Sequence, residues 1–569
     1  MQADSAKQLR PIAAFTMEIG LESRLPTYSG GLGVLAGDTA KGAADLGLPF
    51  SVVTLVHRKG YFQQSIGDEG LQEESSDPWD PSAELEEVDA RAHIDLEGRR
   101  VDIRAWRYEV AGVQGHSVPV YFLDTDLESN HEEDRRITDH LYGGDSHMRL
   151  RQEAVLGIGG VRLLRALGRK DIATFHMNEG HSALLALELL REAGASRSAS
   201  SGEVQALMEG VRQQCVFTTH TPVPAGHDRF PIDLIRKVLG SQAANLLKGA
   251  GSVDESGEVN MTRVALAFAR YTNGVALRHG QVSREMFPGH TIDSITNGVH
   301  ARTWTGPAFQ RLFDKWIPGW RLSPYLMRHA VAIPLEEIRA AHAEARKTLL
   351  DEVHRRSGRR LNPDALTVVF ARRAAPYKRA DLLVADPDRL RAVAQKGGAI
   401  QFIYAGKAHP RDSLGKELIR RVVQAGKELG DSVPIVYLED YDMELGGLLT
   451  AGADLWLNQP RKPLEASGTS GMKAAMNGVP CLSIQDGWWI EGHVEGVTGW
   501  SIDGAWQDPV DDAAELTSIL TKLERVILPL FHRNPDGWAQ VMRASIALNG
   551  AHFHMERMLQ EYVDRAFRV

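Results

Sequence analysis

Lys473 stands in an unusual setting for a lysine. The stretch EASGTSGMKAAMNG, Glu465 to Gly478, surrounds it with Ser467, Gly468, Thr469, Ser470, Gly471, Ala474 and Ala475. An amine placed among small residues, instead of among other charges, suits a Schiff base with a cofactor aldehyde. Thr469, Ser470 and the amides of Gly468 and Gly471 could then hold a phosphate, and Glu465 could hydrogen-bond hydroxyls. The plain alternative is a turn carrying a surface lysine.

Three further stretches carry chemistry of their own. FARRAAPYKRADLL, Phe370 to Leu383, offers Arg372, Arg373, Lys378 and Arg379 just after an apolar run. Guanidinium forks and an ammonium at a strand end suit phosphate binding, and a solvated basic loop is the alternative. TYSGGLGVLAGDTAKGAADLG, Thr27 to Gly47, runs the glycines Gly30, Gly31 and Gly33 into a helical pattern. That is either an anion site at a helix N-terminus or a tight turn, and no Gly-Lys-Ser/Thr follows to make it a nucleotide loop. FHMNEGHS and TTHTPVPAGHDRF bring His176, Asn178, Glu179, His181, His220, His227 and Asp228. No HExxH or clustered Cys/His spacing accompanies them, so a polar ligand pocket is expected before a metal. Asn297 in ITNGVHARTW can both donate to and accept from a sugar hydroxyl.

These residues need a scaffold, and the chain writes one out. PIAAFTM, FSVVTLV, IATFHM, CVFTTH, LTVVFAR, AIQFIYAG, VPIVYLE, ADLWLN and VPCLSI are short apolar runs rich in β-branched and aromatic residues, which predicts strands. Helical patterns lie between many of them, including HMRLRQEAVLGIGGVRLLRALG from His147 and PLEEIRAAHAEARKTLLDEVHRR from Pro334, with Pro334 in the first turn. Alternation of this kind predicts an α/β protein with parallel sheets. Ser/Gly-rich stretches from Gly194 and from Gly249 read as loops, and a boundary is expected near Trp304, followed by an irregular aromatic segment and a new strand–helix series from about Leu366. Two α/β domains would place ligands in a cleft at the carboxyl ends of strands.

The 569 residues are 43% hydrophobic and 24% charged, ordinary for a soluble globular chain with ample core. A net charge of −9 argues against nucleic acid or an anionic membrane as the main partner. Cys215 and Cys481 sit in strand-like runs and read as buried thiols, in keeping with a reducing compartment. No apolar leader opens MQADSAKQLRPIAAF, and no apolar run is long enough for a bilayer, so the cytoplasm is the expected location.

The lysine stretch resembles the cofactor motif of the α-glucan (glycogen, starch, maltodextrin) phosphorylases. YSGGLGVLAGD, HMRLRQE, FHMNEGHSA, TTHTPVPAGHDRF, ITNGVHARTW, RRAAPYKR, YAGKAHPRD and LEDYDMELGGLLTAGADLWLNQP are similar to that family's segments, in its order, from Thr27 to Trp489. The resemblance implies a GT-B fold: a Rossmann-like domain for glucan and phosphate over 1–303, and a Rossmann-like pyridoxal-phosphate domain over 304–569 whose last helix can cross back. It implies retaining phosphorolysis of α-1,4-glucans to α-glucose 1-phosphate, with pyridoxal phosphate as a Schiff base on Lys473 and its 5′-phosphate relaying a proton. By resemblance, Arg373, Lys378 and Gly31 (with Gly30) would bind the substrate phosphate. Arg372, Thr469, Gly468 and Gly471 would bind the cofactor phosphate, and Trp304 and Tyr441 would wall the cofactor. Tyr377, Glu465, Ser467 and Asn297 would bind glucose hydroxyls, and the His220 carbonyl would face the developing positive charge. No metal is implied, and a homodimer or higher oligomer suits the family.

Some positions depart from the pattern. The chain resembles the short bacterial and archaeal branch, and regulation through a long N-terminal extension is not expected. Asp442 stands where long members carry an arginine beside the cofactor, and Gly446–Gly447 replaces an expected Ala-Arg. Two other readings remain at this stage: a GT-B glucan synthase using a nucleotide sugar, which needs no aldehyde cofactor, and a catalytically silent glucan-binding protein.

Overall fold

The computed structural model describes residues 9–195, 201–223, 226–502 and 511–568. All nine apolar runs are strands, and almost every residue in them is buried. Among the described residues they belong to two large sheets. The first orders its nine strands as Asp293–Ser294, Tyr271–Gly274, Cys215–Thr218, Thr174–Asn178, Ile12–Phe15, Phe50–Leu55, Ser117–Asp124, Arg99–Ala111 and Glu86–Leu96. Pairing is parallel from Asp293–Ser294 through Ser117–Asp124 and antiparallel beyond. The second orders six parallel strands as Ile435–Leu438, Ile400–Ala405, Leu366–Ala371, Leu455–Asn458, Cys481–Ile484 and Gly499–Ile502. Both thiols are free and buried in central strands.

The antiparallel strands escape a search for apolar runs because one side of each meets water. Arg99–Ala111 alternates buried Val101, Ile103 and Ala105 with more exposed Asp102 and Arg104, the pattern of a half-covered sheet. The expectation of an irregular segment after Trp304 is corrected. Residues 305–357 are largely helical, with helices Pro307–Trp316 and Leu335–Ser357 flanking a 3₁₀ stretch, Pro324–Ala332. Pro307 sits in the first turn of its helix, where its missing N–H costs nothing, so it starts a helix instead of breaking one. Pro334 is the cap residue just outside its helix, not inside the first turn. The stretch from His147 is helical throughout but changes hydrogen-bond register at a π segment, Val155–Gly159. The predicted loop from Gly194 lies partly outside the described residues, and Ser201–Arg212 is already a helix. The stretch from Gly249 is a turn that ends in the short strand Glu258–Asn260.

Three packing features set up the site. The Gly31–Asp45 helix lies backbone to backbone on the Gly20 turn: a Cβ on Gly37 would fall 1.8 Å from the Gly20 carbonyl oxygen. The hairpin Gln63–Ile66/Gln72–Ser75 reaches from the first sheet to the second. Gln64 Nε2 donates to the Gly406 carbonyl at 2.9 Å, and Gln72 exchanges two bonds with the Ala408 backbone at 2.9 and 2.8 Å. The last helix, Met555–Tyr562, packs on the first sheet. Met555, Met558, Leu559 and Tyr562 join Ile12, Ala14, Phe50 and Val52 in one core, and the Tyr562 hydroxyl bonds Thr218 and Asn273 at 3.0 and 2.9 Å. Among the described residues no helix is long and apolar enough to cross a membrane.

Candidate functional site

One cavity of about 610 Å³ is lined by residues that follow the carboxyl ends of strands in both sheets. Glu18 follows Ile12–Phe15, Glu179 follows Thr174–Asn178, His220 follows Cys215–Thr218, and Val275 follows Tyr271–Gly274. From the second sheet come Arg372 and Arg373 after Leu366–Ala371, Lys407 and His409 after Ile400–Ala405, and Glu465 to Ser470 after Leu455–Asn458. This is the position that parallel sheets reserve for ligands, because the loops there are free to vary while the strands stay fixed.

Of the predicted site residues, Gly30, Gly31, His220, Asn297, Trp304, Arg372, Arg373, Tyr377, Lys378, Tyr441, Glu465, Ser467, Gly468, Thr469 and Lys473 all line this cavity. Gly471 does not. Its amide donates to the Gly468 carbonyl at 3.2 Å, and a Cβ there would meet the Trp488 ring at 2.7 Å, so it is a packing glycine behind the lysine. The histidines divide. His220 and His181 face the cavity, whereas His176 packs on Tyr562 and Phe567, and His227 bonds Thr262 at 2.8 Å. Sequence reasoning assigned no role to Glu18, Tyr61, Tyr142, Arg149, Lys407 and His409, which line the same cavity; Arg149, Lys407 and His409 lie within HMRLRQE and YAGKAHPRD, whereas Glu18, Tyr61 and Tyr142 come from segments without a local signature.

Lys473 lies in the helix Thr469–Met476, which Gly468 opens at φ 89°, a left-handed conformation that glycine adopts without strain. Its amine bears no hydrogen bond or ion pair among the described residues and lies 3.5 Å from the centroid of the Trp304 ring. Burial pushes the amine down to about 8, against a smaller upward pull from Asp38. About a tenth of the amine is then free at neutral pH, far more than for an ordinary lysine, which makes it a competent nucleophile toward a carbonyl. Thr469 and Ser470 in the first turn of the same helix, with Arg372 nearby, form an anion-favouring wall.

The basic run is not four equal cations. Glu465 accepts from Arg372 Nη2 at 2.7 Å and from Lys378 Nζ at 2.6 Å, with all three side chains buried. Arg379 is tied to the Gln459 and Pro460 carbonyls and to Asp512 and Glu515. Among the described residues no carboxylate pairs with Arg373, which projects into the cavity where water reaches it.

Burial alone would raise the Glu465 carboxyl, but Arg372 and Lys378 outweigh it and hold it at about 2. That lies below the ordinary 4.5, so the stability Glu465 contributes is complete above the ordinary value and is lost as pH falls toward 2. Glu465→Gln leaves two buried cations around a neutral amide, and removing one partner of a buried ion pair costs about 3–5 kcal/mol. The melting temperature of this variant should therefore drop by several degrees at neutral pH. Phosphate, which returns an anion to Arg372 and Lys378, should raise it more in the variant than in the parent. Equal melting curves would mean that the triad does not carry this charge balance.

Across the cavity, Glu179 holds a left-handed backbone at φ 72°. It accepts from the His220 N–H at 2.8 Å, the Thr221 hydroxyl at 3.0 Å and the Gly180 N–H at 3.1 Å. Burial raises it to about 7. A strained residue over-determined by three bonds is a positioning device: it fixes the main chain at His220. The His220 ring bonds Asn178 through Nε2, and burial pushes it down to about 3, so the imidazole is neutral. Asn297 Oδ1 and Ser467 Oγ are buried without hydrogen-bond partners among the described residues, ready for a ligand.

The departures at the second sheet have structural roles. Asp442 caps the helix Met443–Gly452 by accepting from Leu445 N at 2.8 Å. A Cβ on Gly446 would come within 2.8 Å of the Tyr441 hydroxyl, so glycine makes room for that ring, whereas Gly447 faces open space. Away from the cavity, Asp45, His300 and Glu556 bring donor atoms within 4.8 Å of one another, but Asp45 is already bonded to His300 and Arg302, both at 2.9 Å.

Comparison with known proteins adds an independent line. The family model described as carbohydrate phosphorylase matches residues 123–498. The maltodextrin phosphorylase of Thermococcus litoralis is 37% identical, with 98% of this chain and 70% of the relative covered. The glycogen phosphorylase of Mycobacterium tuberculosis is 37% identical with the same coverage. That of Aquifex aeolicus is 33% identical, over 98% of this chain and 86% of its own.

Proposed function

This chain belongs to the carbohydrate phosphorylase family, and we propose that it carries out retaining phosphorolysis of α-1,4-glucans, releasing α-glucose 1-phosphate. The observation that carries the proposal is the meeting of an unpaired buried amine, Lys473, with an unpaired guanidinium, Arg373, in one cavity. In this reading residues 1–303 and 304–569 are two Rossmann-like domains in the GT-B arrangement, and the cavity is the cleft between them.

The residues fit pyridoxal phosphate. Lys473 would hold it through its amine, Trp304 and Tyr441 would wall it, and Arg372, Thr469, Ser470 and the helix N-terminus behind Gly468 would take its phosphate. When bound, the cofactor supplies a phosphate group that can pass a proton to and from the substrate phosphate. Asp442 brings no cation to this wall, so Arg372 is the principal one.

The protein's own groups do the rest. Arg373, Lys378 and the Gly31 amide, whose N–H has no acceptor within its own helix, would grip inorganic phosphate. As phosphate takes a share of Lys378, Glu465 gains capacity to accept glucose hydroxyls along with Tyr377, Asn297 and Ser467. The glycosidic C1–O bond breaks as the leaving oxygen gains a proton from phosphate, and a phosphate oxygen then bonds C1 on the same face. The His220 main chain, fixed by Glu179, would turn its carbonyl toward the positive charge at C1, and the neutral imidazole adds no opposing charge. Exclusion of bulk water favours transfer to phosphate over hydrolysis.

The test is a single preparation measured twice. Its absorbance should contain a cofactor band whose borohydride-reduced label maps to Lys473, and maltodextrin with phosphate should yield glucose 1-phosphate. A chain with the label but no phosphorolysis would overturn the reaction. A chain that takes no label even after soaking in pyridoxal phosphate would overturn the site.

A further inference from the structure

We propose that Asp38 is a positioning residue of the Lys473 site, clamping the Trp304 indole against the amine and setting a fixed negative charge beside it. This rests on the reading of Lys473 as the cofactor lysine. Asp38 lies within the Gly31–Asp45 helix and is 1% exposed. Its Oδ2 accepts from Trp304 Nε1 at 2.7 Å and from the His300 N–H at 3.1 Å. Its Oδ1 has no hydrogen-bond partner among the described residues.

A buried carboxylate oxygen without a donor is costly unless a cation compensates it. Two amines are near enough to feel each other and Asp38. The Lys41 amine is committed to the Leu21 carbonyl at 2.8 Å, whereas the Lys473 amine lies on the indole face with no hydrogen bond among the described residues. Trp304 is held from the other side as well. Asn477 Nδ2 donates to the Trp304 carbonyl at 2.8 Å and to the Lys473 carbonyl at 3.0 Å, and Asn477 Oδ1 accepts from the Gly306 N–H at 2.6 Å. The indole thus has its ring edge on Asp38, its backbone on Asn477, and its face on the amine. An indole N–H donating to a carboxylate also enriches the ring that the ammonium contacts. Residues from the first sheet's helix, the Trp304 turn and the second sheet's helix are fixed to one point, so a shift of either sheet would be felt at Lys473.

The charges that act on the amine are Asp38 and Lys41, both from the Gly31–Asp45 helix, and Arg372, Glu465, Asp442 and the neutral Tyr441 line the same cavity. Arg302, on the Trp304 turn, is paired with Asp45. Glu465 is neutralised by Arg372 and Lys378, which leaves Asp38 as the carboxylate that acts on Lys473.

Asp38→Asn separates charge from geometry, because the amide oxygen can keep both acceptor bonds. The full chain, stripped of cofactor, would be mixed with pyridoxal phosphate and borohydride, and covalent label at Lys473 followed by peptide mapping from mildly acidic to alkaline pH. Loss of the negative charge makes the ammonium less favourable, so the midpoint of the labelling profile should move to lower pH. Labelling at neutral pH should then be about three- to tenfold faster, with the alkaline plateau unchanged. Trp304→Phe keeps a ring but loses the N–H, and should lower the plateau without the acid shift. A merely structural Asp38 would move the plateau and leave the midpoint alone. Superimposable profiles for Asp38→Asn and the parent would overturn the proposal, as would a shift to higher pH. Should Asp38→Asn fail to fold, an unchanged plateau in Trp304→Phe would overturn the clamp. If the parent itself takes no label at Lys473, it is the cofactor reading that falls.

Discussion

Lys473→Ala is expected to abolish phosphorolysis, by at least about a thousandfold, the scale of losing an acid–base group from a site, while the chain stays folded. The lysine is buried, unpaired and already lines a cavity, so its removal opens no new hole in the core. It even removes a penalty. The folded amine, lowered to about 8 from an ordinary 10.5, disfavours the charged form, so the unfolded chain binds the extra proton. Stability of the cofactor-free parent should therefore rise as pH increases between those two values. The alanine variant should melt at or above the cofactor-free parent at neutral pH, and this advantage should vanish toward the upper end of that window. Melting curves with assays of glucose 1-phosphate release would check both halves. Full activity would sink the cofactor assignment, and a collapsed fold would mean that the lysine is structural.

Arg373→Ala is expected to have the second largest effect, and on a different quantity. The loss of a preorganised charged donor from an anion site is worth about 2.7–4 kcal/mol, or about 100- to 1000-fold in kcat/KM for phosphate. The cofactor should remain bound, since its wall is built from Arg372, Thr469 and Ser470. Arg373→Lys should recover only part of the loss, because a point charge replaces a two-pronged fork. Initial rates against phosphate concentration, with the cofactor band recorded in the same samples, separate these outcomes. Unchanged phosphate dependence would move the clamp to Lys378 or to Lys407, which also lines the cavity but is paired with Asp440 at 2.6 Å.

The special standing of Arg373 is a tertiary fact. In the sequence, Arg372, Arg373, Lys378 and Arg379 are neighbours of one kind. Their difference comes from Glu465, Asp512 and Glu515, which lie far along the chain and reach three of the four. Asp38 is similar: it stood inside a glycine-rich stretch read for its backbone, and its partner Trp304 is 266 positions away. Gly471 looked like part of a phosphate loop, yet it serves packing against Trp488, which no local pattern announces.

What the sequence by itself determined was local. Buried parallel strands need apolar β-branched residues on both faces, so the runs from PIAAFTM to VPCLSI read directly as strands, and functional residues just beyond them fell at strand ends. The lysine among small residues and the glycines before a helix were equally legible, because backbone freedom and side-chain size are properties of the residues themselves. The half-exposed antiparallel strands and the proline-started helix after Trp304 were less so, since their signals depend on which face is covered. Only the tertiary structure decided which charges cancel, which glycine packs and which carboxylate stands beside the amine. Those choices join partners that are not neighbours in the chain, from Gly471 with Trp488 to Asp38 with Trp304, and are made by close packing and by the requirement that buried charges find each other, so spacing along a chain carries no record of them.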